Sequence, residues 1–153
     1  MIMQFADMGT LENRPCAIDG NWYTALTYAT KLASRLASLH EMGFSHKDLH
    51  AGNVVFHKDH AALLIDIGLS RGVEEAHSEE GVYGREAYLP PEIFEFKDYT
   101  QKSDIYCLGT LLWQLIVGVP PQGVASMDAI HSNLDDLLIP GAPIGFNNII
   151  QSC

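Results

Sequence analysis

The sequence predicts a mainly α-helical domain with one small β-hairpin, α+β overall, and three observations predict it. Between Trp22 and Leu39 apolar residues recur at helical spacing, and Gly43 stands just past the last of them. From Ile105 to Val119 runs a nearly continuous apolar stretch that stops at Pro120. Val54 to Phe56 and Ala62 to Ile65 are short apolar runs separated by the polar His57-Lys58-Asp59-His60, the pattern of two strands and a tight turn.

Composition narrows the function. At 153 residues and 47% apolar, the chain fits one domain with a core of its own. Nineteen Asp plus Glu against nine Lys plus Arg give a net charge of −10, which argues against a nucleic-acid partner and against an anionic membrane surface. Cys16, Cys107 and Cys153 stand far apart without a C-x-x-C pair, so a disulfide framework and a zinc ribbon are both disfavoured and a reduced, cytoplasmic compartment is expected. The start, MIMQFADMGTLENRP, lacks the basic flank and long apolar run of a signal peptide. The stretch Ile105 to Val119 is interrupted by Gln114 and two glycines and is too short to span a bilayer, so it reads as a buried helix.

Taken in order, Met1 to Phe5 reads as a strand that begins abruptly, and Glu12 to Gly20 as a loop around Pro15, Asp19 and Gly20. The helix after it carries its stripe on Trp22, Leu26, Ala29, Leu32, Ala33, Leu36 and Leu39, with Gly43 as its stop and a loop from Phe44 onward. The hairpin follows. From Gly68 to Pro91 the chain is rich in Gly, Glu and Ser and shows little periodicity; connections that long usually carry function or are disordered. Ser103 or Asp104 is placed to cap the apolar helix, which Gly118 and Pro120 end. Ala125 to Leu138 and Ile144 to Ser152 suggest two further helices.

The chemistry sits between elements. In HKDLHAGN, Asp48 and Asn53 lie five positions apart on a loop, and the hairpin after it ends at Asp66, Ile67 and Gly68. Antiparallel pairing brings Asn53 and Asp66 together at one end of that hairpin. Phosphoryl transfer requires a carboxylate to orient a hydroxyl nucleophile, a role that suits Asp48, and oxygen ligands that hold Mg²⁺ on the phosphates, a role that suits Asn53 and Asp66.

HKDLHAGN resembles the H-R-D-L-x-x-x-N catalytic loop of eukaryotic protein kinases, and Asp66-Ile67-Gly68 resembles their D-F-G. Further on, GREAYLPPE is similar to the stretch ending in A-P-E, and SDIYCLGTLLWQLIVGVPP to the buried helix after it. The four motifs stand in family order over essentially the whole chain. The resemblance implies ATP and Mg²⁺ as cofactors, a protein hydroxyl as substrate, and a catalytic set of Asp48 with His46 and Lys47. It implies a hinge at Gln4 to Met8, with Met3 as gatekeeper, Phe5 and Ala6 facing the adenine, and Val55 on the floor of the adenine pocket. A strand valine that simply packs is the plainer reading of Val55. Asp104 is similar to the family's aspartate that binds the catalytic-loop backbone; a plain N-cap is the alternative. Residues 1–10 then correspond to the end of the small lobe and the hinge, and 11–153 to the kinase-like C-terminal lobe.

The pattern also departs from the family. Lys47 replaces Arg and keeps charge without the bidentate fork. Ile67 replaces Phe. His50 stands where serine/threonine kinases usually carry Lys and tyrosine kinases Ala, a choice that resembles the tyrosine-kinase-like serine/threonine group. No Gly-rich loop, strand lysine or helix glutamate precedes Met1, and the arginine expected to pair with Glu92 would lie beyond Cys153, leaving Glu92 unpaired if buried. A chain truncated at both ends is therefore expected to bind nucleotide weakly, and a non-catalytic pseudokinase or interaction module is the alternative. Ser70, Ser78 and Tyr83 are candidate phosphorylation sites, set against ordinary loop polarity. His46 and His50, four apart, also invite a zinc reading, although Lys47 follows where a helical zinc motif carries Glu.

Overall fold

The computed structural model describes residues 7–13, 21–58, 61–66, 71–72, 85–96, 99–121 and 138–153. The expected strand Met1 to Phe5, the sites Ser70, Ser78 and Tyr83, and all but the last residue of the helix expected over Ala125 to Leu138 lie outside these residues. The described elements are helices α1 (Trp22–Glu41), α2 (Pro91–Phe96), α3 (Gln101–Val117) and α4 (Ile144–Ser152), and strands β1 (Phe44–Ser45), β2 (Val54–His57), β3 (Ala61–Leu64) and β4 (Arg71–Gly72). Short 3₁₀ turns cover Leu11–Asn13, Ala51–Asn53 and Glu86–Tyr88.

Helix α1 starts where Asn21 Oδ1 accepts from the amides of Tyr23 at 3.0 Å and Thr24 at 3.3 Å, a cap worth about 1 kcal/mol. Its buried stripe is Ala25, Tyr28, Ala29, Leu32 and Leu36. This shifts the stripe read from the sequence, because Leu26 is half exposed and Ala33 is exposed. Each lies one residue, or about 100°, around the helix from a buried neighbour. The helix stops as expected: Gly43 has φ +81° and its amide donates to His40 O at 2.9 Å. A Cβ at this position would meet nothing within 4 Å, so Gly43→Ala isolates the backbone cost of the left-handed conformation. The expected loss is about 1 to 2 kcal/mol, read as a lower urea midpoint at unchanged slope.

The hairpin forms within one residue of its predicted bounds, with Val54 opposite Leu64, Val55 opposite Leu63, Phe56 opposite Ala62 and His57 opposite Ala61. Its other edge is also used. Met8 N donates to Phe56 O at 3.2 Å, Phe56 N to Gly9 O at 2.9 Å, and Thr10 bridges Val55. Strand β2 is thus central, and Val54, Val55 and Phe56 are buried on both faces. Phe56 meets Tyr28 of α1 at a ring separation of 4.8 Å. The loop expected from Phe44 contains β1, paired antiparallel with β4 from the long Gly- and Glu-rich segment; two residues are too few for alternation to show in sequence.

Helix α3 is capped by Thr100, not by Ser103 or Asp104. Thr100 Oγ1 accepts from Lys102 N at 3.1 Å, while Ser103, three residues into the box, takes the Thr100 amide at 3.1 Å. Gly118, at φ +90°, ends it as predicted. Leu111 and Leu115 have no exposure, as do Leu32, Leu36 and Phe56, and each such side chain contributes about 1.5 to 3 kcal/mol of burial. Helix α4 spans the predicted residues and rests on α3 and on Trp22, whose ring lies 5.9 Å from that of Phe146. Among the described residues no helix is long and apolar enough to cross a membrane.

Candidate functional site

The site is built around one buried carboxylate. Asp104, in the first turn of α3 and with no exposure, accepts from His46 N at 2.8 Å and His40 Nε2 at 2.7 Å through Oδ2. Its Oδ1 accepts from Lys47 N at 3.2 Å and Tyr99 Oη at 2.8 Å. Four donors from α1, the 46–53 loop and the approach to α3 converge on one side chain. Lys47, almost fully buried, sits at φ +68°, a left-handed conformation that a non-glycine residue rarely adopts.

The turn at Lys47 sends Asp48 outward. Asn53 Nδ2 donates to Asp48 O at 2.9 Å and to Asp48 Oδ2 at 3.1 Å, which fixes the amide so that Asn53 Oδ1 faces away. His50 Nε2 lies 3.5 Å from the same Oδ2. Asp48 Oδ1 and Asn53 Oδ1 take no hydrogen bond from a described residue. The Asp48 side chain keeps 20% of its surface exposed, so it opens on solvent.

Asp66 reaches the site through the hairpin. Ile65 N donates to Asn53 O at 2.9 Å, one step beyond the Val54 and Leu64 pair, which puts exposed Asp66 beside Asn53 at the mouth of the sheet. Asp66 is the second left-handed non-glycine residue described, at φ +59°. Val55 is buried on β2 against the segment from Met8 to Thr10. Met3, Gln4, Phe5 and Ala6 lie outside the described residues.

A second layer fixes the loop from behind. Tyr88 Oη accepts from Ala51 N at 3.3 Å and donates to Gln114 Oε1 on α3. Cys107 Sγ donates to Tyr88 O at 3.1 Å; burial pushes its thiol up to about 12, which leaves it protonated and inert. In front, Arg85 pairs with Glu12 through both terminal guanidinium nitrogens, Nη1 and Nη2. That hydrogen bond is the first cause of the lowered Glu12 and raised Arg85 pKa values.

Burial is the first cause of the lowered pKa of both His46 and His50, and it outweighs the raising effect of nearby carboxylates: Asp104 and Asp48 on His46, Asp48 and Glu12 on His50. Both rings are therefore harder to protonate in the fold than in the unfolded chain, where an imidazole titrates at about 6.5. Below that value the unfolded chain binds more protons, so stability is full above it and is lost as the pH falls towards the folded values. The urea midpoint is expected to be lower at pH 5.5 than at pH 7.5, and His46→Gln to shrink that difference.

The family model described as the protein kinase domain matches residues 1–143. The chain belongs to the protein kinase domain family. Among curated relatives, a probable LIM domain-containing serine/threonine-protein kinase of Dictyostelium discoideum is 30% identical over 136 residues, covering 86% of this chain and 14% of the relative. The calcium/calmodulin-regulated receptor-like kinase 2 of Arabidopsis thaliana is 31% identical over 160 residues, covering 94% and 37%. The serine/threonine-protein kinase nekl-2 of Caenorhabditis elegans is 35% identical over 127 residues, covering 76% and 36%. The chain thus spans 14% to 37% of the length of these three relatives.

Within the kinase chain, three readings of the sequence are sharpened. Glu92 is partly buried, and its Oε1 accepts a hydrogen bond from Ser103 Oγ at 3.2 Å, inside the capping box of α3. Asp104 binds the loop backbone and is not the N-cap. The two histidines four apart serve separate contacts, His46 in the interior and His50 against Asp48, and among the described residues no three His, Cys, Asp or Glu side chains gather as a metal centre. The sequence reading missed His40, Tyr88, Tyr99 and Gln114. Gln114 left a trace, a polar residue inside an apolar helix; the others make contacts that no local pattern encodes.

Proposed function

We propose that this chain is the catalytic large lobe of an ATP- and Mg²⁺-dependent serine/threonine protein kinase, residues 1–10 being the hinge side and 11–153 the lobe itself. The observation that carries the reading is the state of Asp48. One carboxylate oxygen is held by Asn53, and the other is left without a described donor on an open face. That oxygen would take the proton of an acceptor hydroxyl as the hydroxyl oxygen bonds the γ-phosphorus. The bond from that phosphorus to the bridging oxygen breaks, and ADP leaves.

Asn53 Oδ1 and the Asp66 carboxylate fit Mg²⁺, a hard cation that binds through one or two protein oxygens and keeps phosphate and water for the rest of its shell. Bound there, the ion supplies charge neutralisation on the phosphates. Met3, Gln4, Phe5 and Ala6 would face the adenine, with Val55 beneath it. His46 and Lys47 support the loop, and the partner is a protein substrate. Serine or threonine as acceptor is supported by the relatives, which are described as serine/threonine kinases. His50 in the loop favours the tyrosine-kinase-like group. The protein carrying this chain, given ATP labelled in its γ-phosphate and a mixed acceptor protein, is expected to label serine and threonine. Chelation should stop the labelling and added Mg²⁺ restore it; label confined to tyrosine, or transfer indifferent to chelation, contradicts the proposal.

A further inference from the structure

The mechanism above leaves one side chain of the loop without a part. His50 is almost fully buried and adjoins the oxygen of Asp48 that also accepts from Asn53. Its ring is anchored on the other side, where Gly52 N donates to His50 Nδ1 at 3.0 Å. A nitrogen that accepts a hydrogen bond carries no proton, so the ring's proton is on Nε2, the atom 3.5 Å from Asp48 Oδ2. The backbone is shaped for this ring: a Cβ on residue 52 would stand 2.8 Å from His50 Cε1 and 3.0 Å from Nδ1. Tyr88 lies at a ring separation of 6.2 Å.

We propose that His50 is a positioning residue for Asp48: anchored through Nδ1 on the Gly52 amide, it directs Nε2–H at Asp48 Oδ2 and so turns Oδ1 to the acceptor hydroxyl. The inference rests on the reading of Asp48 as the group that orients that hydroxyl. With Asn53 alone on Oδ2, the carboxylate can swing about χ2 and exchange its two oxygens. A second donor on the same oxygen removes that freedom, and the imidazole is short and rigid enough to supply it without extending over the site.

The test separates the ring's part from the function of the lobe. In the whole chain with ¹⁵N-labelled histidine, long-range nitrogen–proton spectra are expected to show His50 protonated on Nε2, and Asp48→Asn to move that Nε2–H signal. A ring protonated on Nδ1, or an Nε2–H signal indifferent to Asp48→Asn, overturns the proposal. Two substitutions then divide the ring. His50→Gln keeps a donor where Nε2 stood and loses the anchor on Gly52; His50→Asn keeps the anchor and loses the donor. In the protein that carries this chain, the expected kcat is about 10- to 100-fold lower in His50→Asn with the KM for ATP unchanged, whereas His50→Gln keeps most of the turnover and unfolds at lower urea. The reverse pattern would show that His50 only caps the turn. If Asp48→Asn leaves phosphotransfer intact, the reading of Asp48 fails, and the nitrogen spectra still decide the contact.

Discussion

In the protein that carries this chain, Asp48→Asn is expected to lower phosphotransfer by about 10²- to 10⁴-fold, the range that a positioned acid–base group contributes, while the fold keeps its stability. The two halves of this expectation have separate causes. Asn is nearly isosteric, and its amide oxygen can still accept from Asn53 Nδ2, as Asp48 Oδ2 does at 3.1 Å. The partly exposed side chain lets the new NH₂ face water, so no buried donor is stranded. What is lost is the second oxygen, the one without a described donor, and with it the ability to take a proton. Initial rates at saturating ATP, read beside a urea curve, check both halves; equal activity in the variant would remove Asp48 from the mechanism.

Asp104→Ala is expected to cost about 3 to 5 kcal/mol, the penalty for breaking a buried polar centre by removing one partner. Against a total stability of about 5 to 15 kcal/mol, that leaves a chain close to its unfolding limit. The amides of His46 and Lys47, the Tyr99 hydroxyl and the His40 ring would lose their acceptor together. Asp104→Asn should fall between the two. One amide oxygen can serve either the His46 and His40 pair or the Lys47 and Tyr99 pair, and the other pair then faces an NH₂. Urea unfolding orders the three proteins, and amide exchange at His46 and Lys47 locates the damage. A loss under about 1 kcal/mol in Asp104→Ala would show that the loop is held elsewhere.

The parts of the fold that sequence made legible are those written in local periodicity or punctuation. Helix α4 appeared at its residues, α1 and α3 ended at Gly43 and Gly118, and the hairpin followed from two apolar runs around a polar turn. What failed were choices between neighbours. Leu26 is more hydrophobic than Ala25, yet Ala25 faces the core, because phase in a helix is set by packing of the whole stripe and Tyr28 belongs to it despite its hydroxyl. Thr100 was overlooked as a cap because Ser103 and Asp104 are equally good capping types and stand closer to the apolar run. The site divides the same way. Asp48, Asn53 and Asp66 were legible because their spacing along a loop and hairpin fixes their meeting place. Asp104 was placed by resemblance, but its bonds to His46 and Lys47 close loops of 58 and 57 residues, and its partners His40 and Tyr99 carry no signature.

Lys47 and Asp66 are the two non-glycine residues with left-handed backbone among those described, and both border the face on which Asp48 opens. Each such residue opposes folding by about 1 to 2 kcal/mol; glycine would relieve that at the exposed Asp66, whereas at Lys47 the gain is set against the loss of a buried side chain. Selection for heat resistance alone would therefore be drawn to Asp66 and accept glycine there, enriching proteins that outlast the parent and do less. A screen that scores turnover beside survival should instead retain Lys47 and Asp66 and find its gains on the exposed faces of α1 and α4, where stability and activity are not set against each other.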